Sequence, residues 1–200
     1  MLLLAALFLV LYNLHEDEQS RRVSGEVLTE LKQEIAEQSV PTETEPPEPT
    51  NDLYAEYETE SETVPETDPS LELDGEVYVG VISIPELGVE LPVMQSWSYP
   101  NLRIAPCVYS GAAASGDLII AAHNYRSHFG NISTLYSGSL IRFTDVSGMV
   151  YEYEVLQTDT ISGYDAPSMR EGGGETWNLT LFTCTLSGRS RVSVRAVRTK

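Results

Sequence analysis

The sequence predicts an all-β domain, a closed barrel or a sandwich, behind a helical N-terminal segment and an acidic spacer. Three observations carry this. From Val77 onward, short runs of β-branched and aromatic residues recur between turn signals. Helical periodicity is nearly absent from that part of the chain. The composition also breaks just before it. The net charge is -18, yet Pro41 to Ser70 holds ten acidic residues and no basic one, while from Val77 ten acids face nine bases. The acidity therefore belongs to the spacer and says little about what the folded part binds. No basic patch or stacking motif points to nucleic acid.

Taken in order, residues 1–14 are almost entirely Leu, Ala, Phe and Val. They fall short of the roughly 20 residues that span a bilayer. With no basic residue ahead of them and no small-residue cleavage site behind, they make a poor signal peptide. They read as the outer part of a single-pass membrane anchor with its start missing. Arg21 and Arg22 follow it, so the positive-inside rule alone does not put the rest outside. Residues 15–38 carry Val23, Val27, Leu28, Leu31 and Ile35 on one helical face and read as a juxtamembrane helix. Residues 39–76 contain Pro41, Pro46, Pro47, Pro49, Pro65 and Pro69 among Glu and Thr. Such a segment buries too little apolar surface to order itself, and its prolines and like charges extend it into a disordered linker.

Residues 77–200 form the expected domain, large enough for one good core. Strands are expected at Val77–Ile84, stopped by Pro85, and at Val89–Met94 after the Leu87–Gly88 turn. Leu118–Ala122 is a continuous apolar run, as a fully buried strand would be, and Leu140–Thr144 and Val150–Val155 follow. Gly172–Gly174 marks a flexible loop before the strand Leu179–Cys184. Ser187–Gly188 is a turn signal, and Val192 and Val194 restart the alternation. About eight strands result, with no internal repeat.

The chemistry-bearing candidates sit at strand ends. Cys184 closes one strand and Arg191 opens the next, which sets a guanidinium near a thiol. A cation there stabilises negative charge on sulfur, and its N–H groups can hold an oxyanion. His123 ends the buried run Leu118–Ala122 and can face a cleft as a proton donor or acceptor. The competing reading is a buried strand cysteine with a surface arginine nearby, and a hydrogen-bonded loop histidine. His128 lies inside the following loop and His15 in the N-terminal segment, so both are weaker candidates. Arg195 shares a strand face with Arg191 and Ser193, but Arg191 is nearer Cys184. No further ligands at suitable spacing accompany a His/Cys pair, so neither metal nor another cofactor is expected.

These residues resemble the sortases, cell-surface cysteine transpeptidases of Gram-positive bacteria. Thr180-Leu-Phe-Thr-Cys184 followed by Arg191-Val-Ser-Val-Arg-Ala196 is similar to the family's TLxTC motif and arginine strand. Gly116-Asp-Leu-Ile-Ile-Ala-Ala-His123 resembles the strand that carries its histidine. Gly80–Pro85, Leu91–Val93 and Phe129–Leu135 extend the likeness, which covers residues 77–200. The resemblance implies a closed eight-stranded sortase-like β-barrel with short helices or turns. It implies that Cys184 attacks the Thr–Gly carbonyl of an LPxTG-like sorting signal. His123 would act as general acid and base, and Arg191 would bind substrate and oxyanion. An amine of a peptidoglycan precursor or a pilin would resolve the thioester. Anchor, linker and barrel together imply a membrane protein with its catalytic domain on the extracellular face.

Ala122 stands where the family usually has glycine before the histidine. No aspartate–aromatic lid motif or calcium-binding acid cluster is evident, which leaves the sortase class open. Release of the acyl group to water, or a catalytically silent surface module, are the alternatives. Cys107 reads as a buried thiol, since a disulfide to Cys184 would block the nucleophile.

Overall fold

The computed structural model describes residues 2–38, 68–163 and 176–200. The greater part of the expected linker and the Gly172–Gly174 loop lie outside the described residues.

One continuous helix, α1 (Leu2–Gln38), runs through both the segment read as an anchor and the one read as a juxtamembrane helix. It does not project away from the domain. Ser20, Ser24 and Leu31 are buried, and Val27, Leu28 and Ile35 pack against the same cluster, so the face read from the apolar spacing is the docked one. Leu3, Leu4, Leu7, Phe8 and Leu9, by contrast, are all more than half exposed. Among the described residues, no helix is long and apolar enough to cross a membrane.

The strands are β1 (Leu71–Leu73), β2 (Glu76–Ile84), β3 (Val89–Met94), β4 (Cys107–Ser110), β5 (Leu118–Ala122), β6 (Leu140–Asp145), β7 (Val150–Ser162), β8 (Leu179–Cys184) and β9 (Ser190–Arg198). They are ordered β1-β2-β3-β4-β5-β8-β9-β7-β6, and a further β2–β6 pairing closes β2 through β9 into an eight-stranded barrel. The β3–β4 and β5–β8 pairs are parallel and the rest antiparallel, so the barrel is mixed. β1 is the ninth strand. It forms a hairpin with the first residues of β2 through Asp74 and Gly75, both at positive φ (51° and 81°). Asp-Gly suits a tight hairpin because both central residues must adopt that conformation. β1 therefore lies inside the stretch read as linker, where the acidic composition hides the turn signal.

Closure depends on close backbone approach at Gly80, where the β2 register shifts. A Cβ there would lie 2.2 Å from the Thr144 carbonyl oxygen of β6, so only glycine fits without moving backbone. Between β3 and β4, α2 (Tyr99–Ile104) starts at Ser98, whose hydroxyl accepts from the Asn101 amide at 3.0 Å.

Strand alternation sorts side chains onto two faces. Leu118, Ile120 and Ala122 of β5, Leu179 and Leu181 of β8, and Val194 and Ala196 of β9 fill the barrel interior with Ile82, Phe143 and Tyr153. Ile119, Ala121 and Phe182 point outward into a second cluster beneath α1 and α2, with Leu31, Tyr78, Met94 and Leu102.

Candidate active site

His123, Cys184 and Arg191 come together through register. β5 and β8 run parallel with Ala122 opposite Thr183, so His123 and Cys184 leave adjacent strands side by side. β8 and β9 run antiparallel with Cys184 opposite Arg191. The alternation that points Leu181 and Ala122 inward points Cys184, His123 and Arg191 outward, onto one face at one end of three neighbouring strands. Thr183 fixes the junction, its hydroxyl donating to the Ala122 carbonyl at 2.8 Å, one residue before both His123 and Cys184.

Cys184 is partly exposed and free. The β8–β9 turn behind it is closed by Gly188 (φ 69°), whose amide donates to the Thr185 carbonyl at 2.8 Å. The Arg191 Nη1 donates to the carbonyls of Gly188 and Ser190 at 3.0 and 3.2 Å, which braces the guanidinium against the same turn. Gly163, at the end of β7, donates its amide to the Arg189 carbonyl at 2.9 Å and supports that turn from the far side. Arg195 pairs in register with Thr180, four residues from the position opposite Cys184. That is roughly 13 Å along the strand. Arg195 lies 3.4 Å from Asp159 and stacks on Trp177 at 4.4 Å, a packed surface pair distant from the thiol.

His123 is half-buried, and its ring stacks on Tyr125 with centroids 4.8 Å apart at 33°. Burial lowers its pKa below the usual imidazole value, the Arg103 guanidinium acts in the same direction, and the Glu16 carboxylate opposes both. His128, the weaker loop candidate, is fully buried. Its Nε2 lies 3.0 Å from Ser20 Oγ and 3.3 Å from Ser24 Oγ. Those hydroxyls donate to the Arg103 and Ile104 carbonyls of α2, so Nε2 must carry the proton and donate to them. Nδ1 then has no partner among the described residues, and burial pushes the His128 pKa down to about 4. His15 is exposed on α1.

Cys107 is buried and free, its thiol donating to the Ala105 carbonyl at 3.4 Å, and burial raises its pKa to about 12. It is inert packing in the outer cluster. Among the described residues, no group of three or more His, Cys, Asp or Glu could hold a metal.

Sequence reading missed an aromatic run on the face that carries Cys184. Phe182, two residues before Cys184, meets Tyr109 edge-on at 5.2 Å. Tyr109 meets Trp97 at 6.2 Å, and Trp97 meets Tyr99 at 5.3 Å. Trp97 and Tyr99 are 41% and 71% exposed, so the run opens to solvent. Its members come from β8, β4, the β3–α2 connection and α2, and no local pattern links them.

A sortase-domain family model matches residues 82–199. No curated protein sequence matches the chain. Among solved structures, sortase C1 from Streptococcus agalactiae is similar, with TM-score 0.57 and 26% identity over 65% of this chain and 72% of that one. Sortase A from Corynebacterium diphtheriae, a lid mutant, gives TM-score 0.55 and 22% identity over 62% and 70%. A Clostridium perfringens sortase D5 transpeptidase gives 0.53 and 22% over 62% and 79%.

Proposed function

The chain belongs to the sortase family, and on that premise we propose that it is a cysteine transpeptidase acting on an LPxTG-like sorting signal. The single observation that carries this reading is the register that sets Cys184 opposite Arg191 and beside His123 on one partly open face.

In the proposed reaction, the Cys184 thiolate attacks the Thr–Gly carbonyl carbon of the signal. The carbonyl π electrons move to oxygen, and the Arg191 guanidinium, with more N–H donors than the one bracing its own turn, stabilises that oxyanion. The intermediate collapses, the C–N bond breaks, and His123 gives its proton to the departing glycine amine. The acyl group is then held as a thioester. An amine from a peptidoglycan precursor or a pilin loses a proton to His123 and attacks the thioester. A new amide forms and the thiolate leaves. The aromatic run that leads from buried Phe182 through Tyr109 to the exposed Trp97 and Tyr99 offers apolar footing for an extended peptide at its open end.

Membrane attachment through residues 1–14 fits the exposed apolar side chains of the first half of α1, with the barrel on the extracellular face. Because α1 is packed on the barrel, the distance from that half to the active site does not depend on residues 39–67.

The test is to incubate purified protein with an LPxTG-type peptide and an amine acceptor such as triglycine, and to follow both products by mass spectrometry. Amine-capped peptide with wild-type protein, and none with Cys184→Ala or His123→Ala, is the expected result. Peptide released to water alone would make it a hydrolase. No thioester and no product across a pentapeptide library would make it a silent surface module.

A further inference from the structure

α1 reaches the proposed catalytic histidine through a continuous path. At one end, the Nε2–H of His128 is held by Ser20 and Ser24, one turn apart on the docked face of the helix. Asp17, a turn earlier, accepts from the Ser127 amide at 3.2 Å and from its hydroxyl, securing the residue next to His128. The His128 ring lies against Tyr125, centroids 5.6 Å apart, and Tyr125 stacks on His123 at 4.8 Å. The loop closes on itself as well, with Phe129 donating its amide to the His123 carbonyl at 3.2 Å.

Tyr125 is half-buried, and its ring bridges the two histidines, between the buried anchor and His123. A side chain projecting from a strand end keeps rotational freedom about its χ angles, and a reacting imidazole misplaced by an ångström loses rate steeply.

We propose that Tyr125 and His128, held by Ser20 and Ser24 of α1, are positioning residues for His123, so that the N-terminal helix is a working part of the active site as well as a tether. The proposal rests on His123 being the acid and base of the reaction. It assigns to α1 a task that the barrel does not perform: it fixes the far side of the histidine loop, whereas Thr183 fixes only its strand side.

Charged and titratable groups around His123 come from three directions. Glu16 and Asp17 lie on α1 and Arg103 on α2, Tyr125 and His128 share its loop, and Cys184 and Arg191 end and open the neighbouring strands β8 and β9. Because burial is the main cause of the lowered His123 pKa, loosening the stack admits water and raises that pKa.

Full-length protein is tested in two ways. Steady-state transpeptidation is measured for Tyr125→Phe, Tyr125→Leu and Ser20→Ala/Ser24→Ala. The His123 pKa is measured by NMR titration of the same changes in a Cys184→Ala background, which removes coupling to the thiol. Tyr125→Phe keeps the ring and should match wild type in both. Tyr125→Leu and the double serine variant should lose about tenfold in kcat with KM within about twofold, and should raise the His123 pKa. Wild-type kcat and an unmoved His123 pKa in Tyr125→Leu would overturn the proposal, whatever the serine variant does. If wild-type protein turns out to have no transpeptidase activity, the titration still decides whether the stack positions His123, and only the function reading fails.

Discussion

The two faces of β5, β8 and β9 carry different duties on the same strands. Inward, Leu118, Ile120, Leu181 and Val194 are completely buried and interchangeable in kind, since the interior needs apolar volume. Outward, at the same strand ends, Cys184, His123 and Arg191 are only partly covered. The contrast teaches that strand parity separates the residues that fill the core from the proposed reacting groups: Leu181 points inward, and Cys184, three positions on, points outward.

The strongest way to break that separation is to substitute both kinds of residue on β8. Cys184→Ala should abolish turnover and leave the thermal midpoint within a couple of degrees, about what a partly exposed side chain is worth. Leu181→Ala should do the reverse in kind, costing about 2–5 kcal/mol in denaturant unfolding while folded protein keeps measurable turnover. Large stability loss in the first variant would show that the outer face also holds the barrel.

Next in size is Arg191→Lys. A point charge cannot both brace the Gly188 turn and present a planar pair of donors to an oxyanion, so kcat/KM should fall by about 100-fold with the fold intact. Near-normal kinetics would remove Arg191 from the site.

The buried outer histidine gives a pH signature that the inner face lacks. His128 titrates at about 4 when folded, against about 6.5 when unfolded. Between those values the unfolded chain binds more protons, so stability falls as pH drops from 6.5 to 4, then levels off. Desolvation is the main cause, and the loss should approach about 3 kcal/mol. Urea unfolding of wild type and His128→Gln across that range checks it, because the glutamine keeps a donor for Ser20 and Ser24 but does not titrate. Equal pH slopes would contradict it. The smallest effect is expected at the rim, where Lys32 of α1 meets Glu90 of β3 at 2.6 Å with both side chains more than 40% exposed. Lys32→Ala should cost under about 1 kcal/mol, less at high salt.

Much of this is legible in the amino-acid sequence. The alternation of Leu179, Leu181 and Thr183 against Thr180 and Phe182 already put Cys184 at a strand end, and the family-like motifs put His123 and Arg191 near it. β1 was hidden because Leu71–Leu73 is short and follows an acidic run, although Asp74–Gly75 carries a hairpin signal. The aromatic run of Trp97, Tyr99, Tyr109 and Phe182 had no local signature, since its members meet only when β3, β4 and β8 are assembled.

By itself the sequence determined the β alternation, the apolar face of α1 and the order of histidine, cysteine and arginine. These are local matters, set by side-chain periodicity and turn chemistry. Only the tertiary structure decided that β2 closes on β6 at Gly80, that α1 lies on the barrel, and that His128 is buried against serines more than 100 residues away. Each of those depends on contacts between distant segments, and no pattern within a window of the chain can encode which distant partner a residue will meet.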